Sequence, residues 1–474
     1  MNIEQLYEIY LQYPSIQTDT RKLKKGDLFF ALKGPNFNGN LFAERALEQG
    51  AAYAVIDEEP PRGEGAETDG GADGAARGAD GGSRMIRVHD VLDTLQQLAL
   101  YHRRRLDIPF IAITGSNGKT TTKELVHAVL ATTFTTYTTQ GNLNNHIGVP
   151  LTILSVRKDA QFAVVEMGAN HQKEIEGYCS YCLPTHGIIT NAGKAHLEGF
   201  GGPEGVKKGK GELYDFLRAH AGMAFVMWDY DYLREMSRGI PHIIRYGTKD
   251  ADITGKVYAG GAGSFLSVEV TSGLAIGVIH TQLVGEYNLP NVLVAVTVGA
   301  HFGVPAGRIR QAIEEYTPSN SRSQLIERDG NHIILDAYNA NPSSMKAAIE
   351  NFARIAGGAA GAGPVVTGGE AGASATGGGA SPSAGGGGKV LILGAMAELG
   401  PESLAEHRQI VDLIGQYAWK DVLLVGGDFQ RIDHPYLGFD NALQARDWLQ
   451  RAGLHHAYIL IKGSRSMKME EALA

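Results

Sequence analysis

Residues 111–124 read Ile111-Ala-Ile-Thr-Gly-Ser-Asn-Gly-Lys-Thr-Thr-Thr-Lys-Glu124, and this stretch decides the fold. An apolar, β-rich run over 110–113 feeds a loop that ends in Gly118-Lys119-Thr120, and a helical pattern continues to about 130. Strand, loop and helix N-terminus in that order make a phosphate cradle. The glycines let backbone N–H groups converge on an anion, and the helix dipole favours negative charge at that end. Gly115, Ser116, Asn117 and Gly118 would form the cradle, followed by Lys119, Thr120 and Thr121. Lys119 supplies a point charge for β/γ phosphates, and Thr120 a hydroxyl for Mg²⁺. The common G-x-x-x-x-G-K-[ST] pattern would place glycine at 113, where this chain has Ile113. The loop is the shorter variant T-G-S-N-G-K-T. A chance Gly-Lys-Thr turn is the alternative, and the flanking strand and helix speak against it.

The chain of 474 residues is long enough for about three domains. Its 43% hydrophobic and 20% charged residues are an ordinary soluble, globular composition. A net charge of −8 argues against nucleic acid or an anionic membrane as partner. No run approaches the ~18 apolar residues needed to cross a bilayer, and the opening Met1-Asn-Ile-Glu-Gln-Leu6 lacks a signal-peptide pattern. The expected compartment is the cytoplasm. Cys179 and Cys182 form the chain's one C-x-x-C. Redox or zinc chemistry would need a strand-then-helix context or two further ligands, so the better reading is a pair of reduced, buried thiols at helical spacing.

Three segments separate by pattern. The first, 1–88, mixes short strands with a helix at 41–50 and is interrupted by a Gly/Ala/acidic stretch, 59–83, without apolar periodicity. The second, 89–318, opens with a helix over 90–106. It then alternates strands (110–113, 161–167, 187–190, 223–228) with helices, the pattern of a parallel, doubly wound sheet. A β-rich patch (251–283) and helices at 288–302 and 305–316 complete it. The third, 319–474, repeats the α/β pattern with strands at 332–336, 390–394, 422–425 and 458–461, and carries a Gly/Ala-rich insertion at 357–388.

Further clusters carry polar chemistry. Asn142, Asn144 and Asn145 lie in a loop that could bind a ligand or be an Asn-rich turn. Glu166 closes a buried-looking strand, where it would reach Mg²⁺ of a bound nucleotide or simply be solvated. His196 follows another strand end; a lone histidine is more often structural or exposed than a ligand. Lys207, Lys208 and Lys210 form either a solvated helix face or a collector of phosphate and carboxylate charge. Asp336, Asn339 and Asn341, in D-A-Y-N-A-N-P, offer the hydrogen bonds that hold a nucleoside.

Taken together, T-G-S-N-G-K-T-T, G-N-L-N-N-x-I-G-V-P, A-H-L-E-G-F-G and D-A-Y-N-A-N-P-S-S-M resemble the Mur ligase family over nearly the whole chain. They fit best the member that adds D-alanyl-D-alanine to UDP-N-acetylmuramoyl-tripeptide. The resemblance implies an α/β protein of three domains: a small α/β UDP-sugar-binding domain (1–88), a central P-loop-type doubly wound ATPase domain (89–318) and a C-terminal Rossmann-like domain (319–474). It implies ATP and Mg²⁺ as cofactors, small-molecule substrates, and a monomer. It assigns catalysis to Lys119, Glu166, His196 and Lys210, with metal held by Thr120, Glu166, His196 and a carbamylated Lys210. It adds Asn288, Asn291 and Arg322 to the ATP contacts, beside Asp336, Asn339 and Asn341. Asp19, Thr20, Arg21, Lys33 and Gly34, with Asn142, Asn144 and Asn145, would meet the UDP-linked substrate. Two departures stand out: Asn38-Gly39-Asn40 where relatives often show Asp-Gly-His, and Ala395 in place of an aspartate. A sibling ligase that adds the third stem residue and a nucleotide-binding module without catalysis are the rival readings.

Overall fold

Phe-Ile-Ala-Ile-Thr offers apolar surface to both sides of a strand, and all five residues of Phe110–Thr114 are buried. In the computed structural model, which describes residues 1–59, 83–259, 265–319, 321–355 and 388–474, this strand lies inside a nine-stranded sheet. Next to it run Phe162–Glu166 on one side and His186–Ile189 on the other, both parallel to it. Thr136–Thr138 forms the near edge, and Met223–Met227, His242–Gly247 and Ile253–Val257 extend the sheet in parallel. Phe265–Ser272 and Val278–Val284 finish it antiparallel. Strand order reverses around Phe110–Thr114, so loop 115–118 opens at a topological switch point, where open α/β sheets bind ligands.

Helix Lys119–Ala131 packs against Leu289–His301. The latter is rich in valine, which disfavours an isolated helix, yet it is buried over nearly its whole length; Pro290 starts it and burial outweighs propensity. The two helices approach closely because residue 299 is glycine: a Cβ there would stand 2.6 Å from Val129.

The first segment forms a parallel four-stranded sheet in the order Ile16–Gln17, Leu28–Phe30, Tyr53–Ile56, Met85–Arg87. Helix Ile3–Gln12 did not stand out in the sequence. Its buried face, Leu6, Tyr7 and Tyr10, docks on the second segment: Tyr7 Oη lies 3.0 Å from His102 Nδ1, and Tyr10 donates to the Leu154 carbonyl. The helix expected at 41–50 begins as a 3₁₀ turn, Gly39–Phe42, before Ala43–Glu48. The third segment holds a six-stranded sheet in the order Gln324–Arg328, Asn331–Asp336, Tyr458–Lys462, Lys389–Gly394, Asp421–Val425, Leu437–Phe439, parallel except for its first pair. Of the insertions read at 59–83 and 357–388, all but residues 59, 83 and 388 lie outside the described residues.

Cys179 and Cys182 are free thiols buried in helix Glu174–Cys182, where burial raises both pKa values, that of Cys182 to about 12. Among the described residues no helix is long and apolar enough to cross a membrane.

His186 begins a central strand at the end of the sheet away from loop 115–118, packed near Phe225, His301 and Phe302. Burial, and then the neighbouring His301, hold its pKa down from 6.5 to about 4. The unfolded chain therefore binds the extra proton between those values. Stability present above pH 6.5 should fall as the pH drops towards 4, by an amount of order 2 kcal/mol from this group. Urea midpoints measured from pH 7 to pH 4.5 should decline less steeply in His186→Phe than in the wild type.

Candidate active site

Loop 115–118 is shaped by what surrounds it. Gly115 has φ +146°, and a Cβ there would lie 2.0 Å from Thr190 Oγ1. Gly118, at φ +81°, precedes helix Lys119–Ala131, and its Cβ would fall 2.7 Å from Asn291 Oδ1. Loop 190–193 buttresses the turn. Asn117 N–H donates to Asn191 Oδ1 (3.0 Å), Thr190 Oγ1 donates to the Asn117 carbonyl (2.6 Å), and Ser116 Oγ to the Gly193 carbonyl (2.8 Å). Lys119 folds back over its own loop, its Nζ 2.6 Å from the Gly115 carbonyl. Burial lowers its pKa, with Glu166 opposing that shift. An anion in the cradle would supply the charge this ammonium lacks.

Glu166 is 1% exposed. Thr120 Oγ1 donates to its Oε2 and Asn144 Nδ2 to its Oε1, both at 2.8 Å. A buried carboxylate satisfied only by neutral donors, with a hydroxyl beside it, suits a hard cation. Among the described residues no cluster of three His, Cys, Asp or Glu side chains could hold a metal.

The loop and Glu166 open into a cavity of about 840 Å³ between the second and third segments. Of the residues expected at the site, Ser116 to Thr121, Glu166, His196, Asn288, Asn291, Arg322, Asp336 and Asn339 line it, and so do Asn142, Asn144 and Asn145. Lys210 does not. It lies beneath the wall, 1% exposed, its Nζ donating to the Ala169 carbonyl at 3.1 Å and 5.0 Å from the Phe200 ring centre. Burial, with Lys119 adding repulsion, holds its pKa far below that of an ordinary lysine. His196 pairs through Nδ1 with Glu398 of the third segment.

Several of the expected residues also make contacts within the chain. Asn341 caps helix Pro342–Arg354 by accepting from Ser344 N–H at 2.9 Å. Its Nδ2 donates to Asn117 Oδ1 at 2.7 Å, bridging the third segment to the phosphate loop. Asn291 accepts from Thr122 Oγ1 (3.1 Å) and donates to Asn288 (2.9 Å), shaping the start of the loop helix. Asn145 accepts from Gly148 N–H at 2.9 Å, fixing the turn into helix Gly148–Ser155. Asp19, Thr20, Arg21, Lys33 and Gly34 lie outside the cavity, in the first segment. There Asp19 pairs with the exposed Arg21 (2.8 Å), and Lys33 with Asp57 (3.3 Å) and Glu58 (2.9 Å). In the Asn38-Gly39-Asn40 variation, Asn40 is buried and bonds both Asn38 and Asp57.

The sequence reading gives no role to Lys194 and places Lys462 only in a strand-end stretch whose polar groups face one crevice. Lys194 bonds Glu406 at 2.5 Å and, through its backbone, Ser343 Oγ at 3.1 Å, both across the cleft. Its place in N-A-G-K-A-H, beside His196, was the available signal.

Comparison with known proteins finds relatives along nearly the whole chain. Residues 12–103 match the family model for the Mur ligase family, catalytic domain, and residues 113–299 that for the Mur ligase middle domain. The chain is 32% identical to UDP-N-acetylmuramoyl-tripeptide–D-alanyl-D-alanine ligase of Escherichia coli, over 97% of this chain and 92% of that protein. It is 30% identical to the enzyme of the same name from Bacillus subtilis, over 96% and 91%. The crystal structure of MurF from Acinetobacter baumannii superposes with a TM-score of 0.78 at 27% identity, covering 97% of this chain and 92% of that one.

Gly118→Ala adds a Cβ in a left-handed conformation against Asn291. It should cost roughly 1–3 kcal/mol of stability, read as a lowered urea midpoint, while Gly177→Ala, in open space on a helix, should cost nothing.

Proposed function

The chain belongs to the Mur ligase family, and we propose that it joins D-alanyl-D-alanine to UDP-N-acetylmuramoyl-tripeptide with cleavage of ATP to ADP and phosphate. The observation that carries this is one cavity lined on one side by the phosphate loop with Thr120 and Glu166, and on the other by Arg322, Asp336 and Asn339. A triphosphate can lie with its phosphates in the cradle and its nucleoside against the third domain. The likeness to ligases of that name runs over all three segments.

A carboxylate is a poor electrophile. Transfer of the γ-phosphoryl group to the tripeptide's terminal carboxylate gives an acyl phosphate with a good leaving group. The free amine of the dipeptide then adds to the carbonyl carbon, and collapse of the tetrahedral adduct expels phosphate and leaves an amide. Two anions must meet in the first step, so the site has to concentrate positive charge. Lys119 holds the β/γ phosphates from the loop side, and Arg322 faces them from the third domain. Thr120 and Glu166 would hold Mg²⁺, which supplies charge neutralisation and orientation of the phosphates. Closure of the third domain, carried by the Asn117–Asn341 and Lys194–Glu406 contacts, excludes water from the acyl phosphate.

Lys210 is the reading's most particular feature. A lysine pushed towards its neutral form by burial has the free amine that adds to CO₂, forming an N–C bond and releasing a proton. The carbamate would convert a cation into an oxygen ligand for a second Mg²⁺ near His196. Asp19, Thr20, Arg21, Lys33 and Gly34 would receive the UDP end of the substrate, and the Asn142–Asn145 loop its middle. The enzyme would act in the cytoplasm as a monomer.

The deciding experiment is ADP release with UDP-N-acetylmuramoyl-tripeptide, ATP and Mg²⁺, comparing D-alanyl-D-alanine with single amino acids. Turnover that requires the dipeptide is expected; turnover with single amino acids only would move the chain to a sibling step, and none at all to a binding role. Lys119→Ala should lower turnover by at least about a hundredfold while circular dichroism stays unchanged. Protein equilibrated with ¹³C-bicarbonate should show a carbamate carbon resonance that is missing from Lys210→Ala; equal spectra would remove the carbamate.

A further inference from the structure

Asp336 and Lys462 face each other across neighbouring parallel strands, paired in register at the ends of Asn331–Asp336 and Tyr458–Lys462. Lys462 is 2% exposed. Its ammonium lies 2.6 Å from Asp336 Oδ2 and 3.1 Å from the Asn339 carbonyl. Asp336 Oδ1 accepts the Ser323 backbone N–H at 3.2 Å. Lys462 thus fastens the strand-end carboxylate and the loop after it with one group. Burying an ammonium is costly unless it is paired and hydrogen-bonded, and an apolar side chain of similar length would fill this place without that penalty. The pair also sits at the cavity: Asp336, Tyr338, Asn339 and Lys462 all contribute to its wall.

The geometry points to Lys462 as a positioning residue for the nucleotide's ribose: it holds the Asp336 carboxylate aimed as a hydrogen-bond acceptor, and it pins the Asn339 loop. This rests on the ATP reading above. Two of the three ammonium N–H groups are already committed to protein, so the side chain acts through Asp336 rather than by gripping phosphate itself. Phosphate charge falls to Arg322, which lies over the Tyr338 ring at 3.6 Å and reaches the same cavity. A carboxylate held in this way accepts from a ribose hydroxyl, and a charge-assisted bond of that kind discriminates sharply against a sugar that lacks it.

The test compares ATP, 2′-deoxy-ATP and 3′-deoxy-ATP, by calorimetric binding and by steady-state kinetics, in the wild type and Lys462→Met. The wild type should bind one of the deoxy nucleotides about tenfold more weakly than ATP. Lys462→Met should bind all three within about twofold, with KM for ATP raised about tenfold and kcat within about threefold of wild type. A folded Lys462→Met that keeps the wild-type discrimination overturns the assignment, and so does a fall in kcat with KM for ATP unchanged. Should the methionine variant fail to fold, Lys462→Gln carries the same readout: its discrimination should shrink, and a wild-type ratio overturns the proposal. Absence of ATP binding by the wild type would instead overturn the nucleotide reading on which this one rests.

Discussion

Backbone amides can converge on an anion only where the turn leaves no room for side chains and the chain around it is held still. Loop 115–118 meets both conditions through its neighbours. The space a Cβ would need at Gly115 is filled by Thr190, and that at Gly118 by Asn291. Thr190, Asn191 and Gly193 then bind the loop through side-chain and backbone bonds. The cradle is preformed, so little ordering is left for a ligand to drive. Its place at the switch point of the parallel sheet follows from strand order, and the helix beginning at Lys119 adds its dipole.

The third domain meets this loop through polar contacts: Asn341 on Asn117, Ser343 on the Lys194 backbone, Glu406 on Lys194, Glu398 on His196. Pairs of this kind, partly open to solvent, each contribute little net stability. An interface built from them can separate to admit substrates and re-form around them, which suits a reaction whose intermediate must be kept from water. The same contacts tie closure to the cradle, because Asn117 belongs to the phosphate loop. In the proposed reaction, closure would thereby be coupled to the position of the phosphates.

Much of this was legible in the sequence because it depends on local rules. The strand over 110–114, its loop and its helix follow from apolar runs, glycine and a polar helix start. The strand ends at Glu166 and Asp336 follow from the same alternation. What escaped depends on distant partners. Helix Ile3–Gln12 is marked by aromatics whose purpose appears only when Tyr7 and Tyr10 meet His102 and Leu154. Asn341 is expected from its motif to hold a nucleoside, and its further contacts are a helix cap and a bridge to Asn117, a partner 224 residues away. Lys462 looks like a strand-end cation, and its partner lies 126 residues away. The lysine cluster at 207–210 reads either as a solvated face or as a charge collector, and only burial on the inner face of helix Pro203–Ala219 separates Lys210 from exposed Lys208.

Cost offers a second way to read the site. Glu166, Lys210 and Lys462 are each almost fully buried, and charges at such depth lower stability relative to apolar side chains of similar size. Strained backbone is found there too: among the described residues eleven non-glycine residues have positive φ, and His196, Ser323 and Glu398 are three of them. His196 and Ser323 line the cavity, and Glu398 pairs with His196 at its margin. Folding alone gives no reason to place these buried charges and these left-handed residues beside a cleft. Chemistry between two anions does, because it needs fixed dipoles and desolvated cations already in position before the substrates arrive. The stability given up around the cavity is the physical trace of that preorganisation, and the large apolar core of the central sheet is what makes it tolerable.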